Sequence, residues 1–485
     1  MSISGGLSSA LSGLTAAAKT IEVVSSNIAN STTPGYGRRE VITAARIVGH
    51  TGQGVNVTGV QRHVDPVLLS DRRRSEATES ERNTRTTFYT QLEAAVGTSD
   101  SATSIGNRIS EFDTALLEAA SLPSSEARLA RVAETARNLA NQINSASQAV
   151  QSARASADDK IEADVNLLNR TLQELSGLND SIRASYAASR DPSALLDQRQ
   201  IMIDSIAKVV PIREMARDDG QVALYTTGGA MLLDGKAAVF GFNPVGMVTP
   251  EMSVGVGSLS NLTLNGQPLS ASGDLSLIAG GSLSAHFSVR DDLAPAAQEK
   301  LDALARDLLE RFADPAIDPT LAVGQAGLFT DGGGDFLAAD EVGLAHRLRL
   351  NAAVDPSQGG ELWRLRDGVG ATAPGLAGNA STLVALQSAL TAPRTPVSGQ
   401  FMSGTRSFSA LQGDMLSAMV SSRLTAESEA SYAAARTDAL TQLQLADGVD
   451  TDQEMQSLLL VEQAYTANAK VIQTIGEMID TLLGM

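Results

Sequence analysis

The chain contains no cysteine, which removes disulfides, thiolate metal centres and cysteine nucleophiles from consideration. Aromatic side chains are scarce, and Trp363 is the single tryptophan. A composition rich in Ala, Ser and Leu suits long helices better than a ligand pocket. Positive charge is in deficit: 37 Lys and Arg stand against 55 Asp and Glu, a net charge of −18. Nucleic acid is therefore not an expected partner, because binding it needs a basic face that displaces counterions from phosphate. No apolar run approaches the length of a membrane span, so no membrane insertion is expected. The first residues, MSISGGLSSALSGLTAAAKT, lack the basic start and continuous apolar core of a secretory signal. Any export is expected to proceed without cleaving one. With 485 residues the chain exceeds one core, and roughly two to four domains are expected.

The strongest pattern lies at the two ends. Leu458, Val461, Tyr465, Asn468, Ile472, Ile475, Ile479 and Leu482 keep a 3-4 spacing with one polar member, Asn468. That is a coiled-coil seam. Thr451 and Glu454 fit a capping box that would start this helix. Ile3, Leu7, Ala10, Leu14, Ala17, Ile21, Val24 and Ile28 keep the matching 4-3 spacing. The two stripes are expected to pair; the alternative is two separate amphipathic helices packed on the body. Burying each large seam residue stabilises by roughly 1.5–3 kcal/mol. Ordering each residue costs about 1–2 kcal/mol of backbone entropy. Gly5, Gly6 and Gly13 weaken the first helix further. The pair alone is marginal, so both ends are expected to order against other subunits.

Between the ends, Pro34-Gly35 stops the first helix, and residues 39–64 alternate as an extended hairpin. Residues 80–96 and 105–122 read as helices. Leu129 to Val150 and Ile161 to Ile182 carry two further seams, consistent with long antiparallel helices in a bundle. A helix is also expected from Leu195 to about Val209. From Pro211 the period changes, with Asn265-Gly266 a favoured hairpin turn, and residues 211–282 read as a β domain projecting from the helical body. Leu283, Ala285, Phe287 and Val289 alternate as a strand before a helix over 293–312. A last long helix runs from Phe408 to about Ala446, and Gly448 is a natural hinge before the terminal seam. The expected fold is mainly α with a β insertion. It comprises a terminal coiled-coil assembly domain (1–36 and 448–485), a helical body of long helices (37–210 and 283–447) and a small inserted β domain (211–282).

No catalytic pattern emerges. His50, His63, His286 and His346 show no metal-ligand spacing. Gly229–Lys236 misses the phosphate-loop spacing, and Ala237 stands where the Mg²⁺-holding hydroxyl would be; a hairpin turn is expected. Asp331–Asp335, with Asp340 and Glu341 nearby, lacks the spacing of a calcium loop and reads as an acidic turn. Arg72-Arg73-Arg74 reads as a solvated segment. No nucleophile elbow or zinc-protease helix is present, so neither an enzyme activity nor a cofactor is expected.

The run Asn27-Ile28-Ala29-Asn30, followed by Thr33-Pro34-Gly35-Tyr36 and Arg38, resembles the N-terminal signature of bacterial flagellar rod, hook and hook-associated proteins. The closing run Glu462-Gln463-Ala464-Tyr465, Asn468-Ala469-Lys470-Val471-Ile472 and Met478-Ile479-Asp480-Thr481-Leu482-Leu483 resembles that family's C-terminal signature. The helical middle, with Leu195-Leu196-Asp197-Gln198-Arg199, is similar to the hook-associated protein 1 branch. The resemblance implies a self-assembling structural subunit at the hook–filament junction, exported uncleaved to the extracellular flagellum. It implies as partners further copies in a helical array, the hook protein, the second junction protein, the flagellar export apparatus and an export chaperone on the C-terminal helix. Asn27, Ile28, Asn30, Pro34, Gly35 and Tyr36, with Tyr465, Asn468, Ile472, Ile475, Ile479 and Leu482, are the implied assembly interface. The seams add Ile3, Leu7, Leu14, Ile21, Val24, Leu458 and Val461. Two alternatives stay open: another axial subunit (the second junction protein or a rod component), or an extracellular adhesin or enzyme on a helical stalk.

Overall fold

A computed structural model describes residues 3–48, 51–98, 100–271, 273, 276–399 and 403–484. Helix α1 (Ile3–Ala29) leads into an antiparallel hairpin of β1 (Arg38–Val48) and β2 (Thr51–His63), then α2 (Pro66–Val96), α3 (Ile105–Ser121), α4 (Glu126–Ala187) and α5 (Ser193–Val209). Strands β3 (Ile212–Ala216), β4 (Val222–Thr226), β5 (Met231–Asp234) and β6 (Lys236–Ala237) form one antiparallel sheet in that order. A smaller sheet holds β7 (Phe240–Gly241), β8 (Leu262–Leu264) and β9 (Gln267–Leu269). Helices α6 (Gly281–Ser288) and α7 (Ala294–Phe312) follow, then β10 (Phe329–Asp331), α8 (Leu344–Arg347), β11 (Leu348–Leu350), α9 (Arg364–Asp367) and α10 (Ser381–Thr391). The chain closes with α11 (Phe408–Ala446) and α12 (Thr451–Leu483).

Both middle seams lie on α4, a single helix of 62 residues. Its first half, Leu129 to Val150, shares a core with α3, α7, α10 and the start of α11, where Phe112, Phe312 and Phe329 pack ring against ring. Its second half, Ile161 to Leu175, shares another with α5, α6 and the strands of both small sheets. The strands of 211–282 thus close over the distal half of α4 instead of standing clear of the helices.

The gap between the two seams has a cause. Arg154 and Asp158 occupy the intervening positions of the same face, and both are buried. Arg154 donates to the carbonyls of Arg290, Thr249 and Met252 at 2.9, 2.9 and 2.6 Å. Arg290 in turn donates to Asp158 at 2.7 Å and to the Ser260 carbonyl at 2.9 Å. Buried guanidinium groups need such partners, because an unpaired buried charge is prohibitively costly. This polar belt joins the two apolar cores.

Several expectations need correction. Residues 283–289 are not a strand: α6 passes through a one-turn π-bulge, Val289–Leu293, into α7. Leu283, Ala285, Phe287 and Val289 are all buried, and periodicity cannot distinguish strand from helix when burial surrounds the element. Arg72 and Arg73 are not solvated. Arg73 bonds Asp204 at 2.6 Å and Glu214 at 2.8 Å, and Arg72 pairs with Glu76 at 2.9 Å and with Asp204. These ion pairs fix the polar first half of α2 to α5 and β3. In the acidic turn, Asp331 is held by Arg347 at 2.7 and 3.1 Å, and Glu341 by Arg306 at 2.6 Å.

Gly229–Lys236 is a turn only at its ends: residues 227–230 connect β4 to β5, with Gly229 at φ +94, Met231–Asp234 is strand β5, and Gly235, at φ +73, turns it into β6. Asn265 and Gly266, at φ +52 and +79, turn β8 into β9. His63 meets Glu40 at 3.1 Å and His286 meets Asp164 at 3.0 Å, while His50 lies outside the described residues.

Candidate functional site

Helices α1 and α12 pack against each other in antiparallel fashion. A Cβ added to Gly6 would sit 3.4 Å from Ile475 Cδ1, and one on Gly13 would sit 2.9 Å from the Asn468 amide. Asn27 bonds Glu454. Stepping from Gly6 to Gly13 to Asn27 along α1 matches equal steps from Ile475 to Asn468 to Glu454 along α12, so the register is unbroken. Gly6 and Gly13 are therefore notches that admit α12 side chains, a role that their cost in helix propensity conceals.

The far end of this pair is a polar node. Asn27 is fully buried and uses its whole hydrogen-bonding capacity. Its Oδ1 accepts from the Arg39 N–H at 3.0 Å and the Tyr36 hydroxyl at 2.8 Å. Its Nδ2 donates to the Arg39 carbonyl at 2.9 Å and to Glu454 Oε2 at 3.1 Å. The other Glu454 oxygen accepts from Arg38 Nε at 2.7 Å. Glu454 is 1% exposed, so its charge rests on these two partners. The capping-box expectation is overturned: the cap is Asp450, whose carboxylate accepts from the N–H groups of Asp452 and Gln453 at 2.9 and 3.2 Å.

A second node ties the same turn to the body. Asp197 Oδ1 accepts from the Gly37 N–H at 3.0 Å and Arg62 Nε at 2.7 Å, and its Oδ2 accepts from Arg39 at 2.6 Å. The Arg39 guanidinium also lies 4.8 Å from the Tyr36 ring centroid. Gly35, at φ +79, lies so close to α5 that a Cβ would come within 2.5 Å of Ile201 Cγ1. The hairpin also lies along α1: the Val55 N–H donates to Ser12 Oγ at 3.1 Å, and a Cβ on Gly54 would meet that oxygen at 2.0 Å. Each charge at these nodes faces an opposite one, and the arrangement fixes the turn against α1, α5 and α12.

The residues expected at an interface distribute unevenly. Val24, Asn27 and Ile475 are buried. Leu14, Ile21, Ile28, Asn30, Gly35, Tyr36, Leu458, Val461, Asn468 and Ile472 are half-buried. Ile3, Leu7, Pro34, Tyr465, Ile479 and Leu482 are exposed. Asn30 bonds its own helix, to the Ser26 carbonyl at 2.9 Å, and Asn468 likewise bonds the Ala464 carbonyl at 2.9 Å. Glu454, Arg38 and Asp197 were absent from the expected set. One signal was available for Glu454: it continues the seam spacing one step before Leu458, and a charge in a seam position asks for a buried partner.

Three family models match along the chain. Residues 7–36 match the flagella basal body rod protein, residues 89–315 the flagellar hook-associated protein FlgK helical domain, and residues 446–485 the C-terminal part of the flagellar basal body rod FlgEFG protein. The first and last contain the two halves of the Asn27–Glu454 node, and the helical-domain match covers Asp197. Together these matches make the chain similar to flagellar hook-associated protein 1 of the FlgK type. Flagellar hook-associated protein 1 of Escherichia coli (strain K12) is 24% identical over 239 residues, covering 48% of this chain and 43% of that protein. The Salmonella typhimurium protein of that name is 25% identical, covering 47% and 42%. This chain therefore aligns with less than half the length of those relatives. The Bacillus subtilis (strain 168) protein is 22% identical but covers 99% of this chain and 97% of its own. The flagellar hook junction protein FlgK from Burkholderia pseudomallei superposes with a TM-score of 0.45 at 21% identity, covering 54% and 47%. Among the described residues, no helix is long and apolar enough to cross a membrane.

Proposed function

We propose that this chain is a structural subunit that polymerises at the distal end of the flagellar hook and joins hook to filament. The observation that carries this reading is the Asn27–Glu454 node, in which the two terminal family regions, separated by the whole helical body, complete one another. Residues 1–36 and 448–485 form the assembly domain. The helical body of 37–210 and 283–447 makes the middle layer of the tube, and the strands of 211–282 face outward.

Assembly works by packing. On α12, Ile475 is the one apolar side chain buried among the described residues, while Leu459, Leu460 and Leu483 are 55%, 67% and 81% exposed. An apolar surface of that kind is an association surface, and head-to-tail contacts that do not close propagate a helical array. Of the 19 residues from Ile3 to Leu482 placed above, Val24, Asn27 and Ile475 hold the terminal pair together within the chain, and the other 16 line the interface between copies. The neighbours are the hook protein below and the second junction protein above. Before assembly the chain passes uncleaved through the flagellar export apparatus, with a chaperone shielding the C-terminal helix.

Deleting the gene and viewing the cells by electron microscopy tests the role. Hooks without filaments, and filament subunits shed into the medium, are expected. Normal filaments would reject it.

A further inference from the structure

The exposed side of α11 borders a groove against α2. The groove has a volume of about 490 Å³ and continues into a shallower trough along Ser417 to Glu429. At 1.5 Å per residue, the stretch from Ser417 to Arg436 extends for roughly 30 Å. Its floor is made of small side chains, with Ser75 and Thr437 hydrogen-bonded to each other at 3.0 Å. Arg74 and Arg82 line one wall and Arg436 the other. Arg82 is balanced by Glu429 at 2.8 Å. Among the described residues, Arg74 and Arg436 have no carboxylate partner, and both are exposed. Tyr432 and Leu424, 73% and 53% exposed, stand on the rim. Unpaired arginines beside an exposed aromatic are conspicuous on a chain of net charge −18.

The complementary surface is on the chain itself. On the sides turned away from α1, α12 exposes Asp452, Met455, Leu459, Glu462, Glu477 and Asp480, with Lys470 its single basic residue. Because the seam side is turned to α1, this outer side remains free. We propose that the α2–α11 groove seats the outer face of α12 from a second copy of this chain. Acidic copies repel unless opposite charges meet where they touch, and a helix laid in a groove lets Met455 and Leu459 reach Tyr432 and Leu424 while the carboxylates reach Arg74 and Arg436. This inference rests on the proposed self-assembling role and names the surface through which one body engages its neighbour's terminal helix.

Photo-crosslinking of the full chain tests it, with benzoylphenylalanine in place of the exposed Thr78 in the groove. Concentrated purified chain and flagellated cells should both yield a covalent dimer whose second peptide lies within residues 452–480. The dimer yield should fall at least fivefold in 1 M salt, where the Debye length shrinks to about 3 Å, and equally in the double variant R74E/R436E. Adding E462R, one turn beyond Leu459, should restore it in part. A crosslink within the same chain, a crosslink to another protein, or filament-bearing cells without the dimer would overturn the groove assignment and leave the junction role standing. A dimer with the expected peptide in a strain whose filaments do not depend on the gene would retain the groove and remove the role.

Discussion

Asn27 and Glu454 lie 427 positions apart and are joined by a buried 3.1 Å hydrogen bond. That bond links the exit of the first helix to the entrance of the last. Glu454→Gln keeps the shape and removes the charge that Arg38 needs. Breaking a buried pair costs about 3–5 kcal/mol, and the Arg38 side chain, 25% exposed, reduces this to roughly 1–3 kcal/mol. Hydrogen exchange of the purified chain should show faster exchange across α12 and unchanged protection in α4. Equal protection of residues 451–483 in both proteins would remove Glu454 from the anchoring role.

Gly35 and Ile201 define a second relationship. Gly35→Ala places a methyl group against Ile201 at a φ that L residues rarely adopt. Such backbone strain costs of order 1–3 kcal/mol. Ile201→Ala alone should be nearly neutral, because that side chain is half exposed. In the double variant the steric part disappears and the φ part stays, so stability should recover only partly. A urea denaturation cycle measures this; full recovery would mean that the turn tolerates a side chain at this φ.

These two sites show what could be read from the residues and what could not. The terminal seams were legible because a 3-4 spacing exists only if one helix face is buried. Glu454 was hidden because Thr451 and Glu454 also fit a local cap, and local spacing says nothing about a partner at Asn27. Arg72 and Arg73 look like a solvated run until Asp204 and Glu214 are brought beside them by the fold. The segment around Phe287 was misread for another reason: a helix buried on all sides has no polar face to reveal its period. The Asn265-Gly266 turn lies where its residues put it, but the core that the strands share with α4 depends on contacts between distant segments.

Acid titration separates two buried carboxylates of the body. Burial raises Asp302 from 3.8 to about 6, against hydrogen bonds from the Ala345 and Gly343 N–H groups and from Gln298. A carboxyl raised on folding binds its proton more tightly in the native state. Its contribution to stability is therefore greatest below about pH 4 and declines until about pH 6. For Asp355, burial also acts upward, but hydrogen bonds from Gln358, Ser357 and Arg137 outweigh it and hold the group down to about 2. Its contribution is present above about pH 4 and is lost as the pH falls towards 2. Denaturation of wild type, D302N and D355N across pH 2–7 should show opposite slopes removed in the two variants. Parallel curves would refute both assignments.

The notch at Gly13 makes the last prediction. A Cβ there would lie 2.9 Å from both terminal atoms of Asn468, and the Asn468 amide bonds its own helix instead of α1. Asn468 therefore marks register by shape, as a polar knob that fits only where α1 has a glycine. Asn468→Leu should strengthen the terminal pair by about 1 kcal/mol through added apolar burial, while weakening the discrimination against other pairings that a polar seam residue provides. Gly13→Val should act oppositely, wedging the helices apart and exposing amides on both sides of residue 468. Slower exchange in N468L together with fewer correctly capped hooks in cells is the expected outcome. Normal assembly with unchanged exchange would show that register is set elsewhere, at the Glu454 end of the pair.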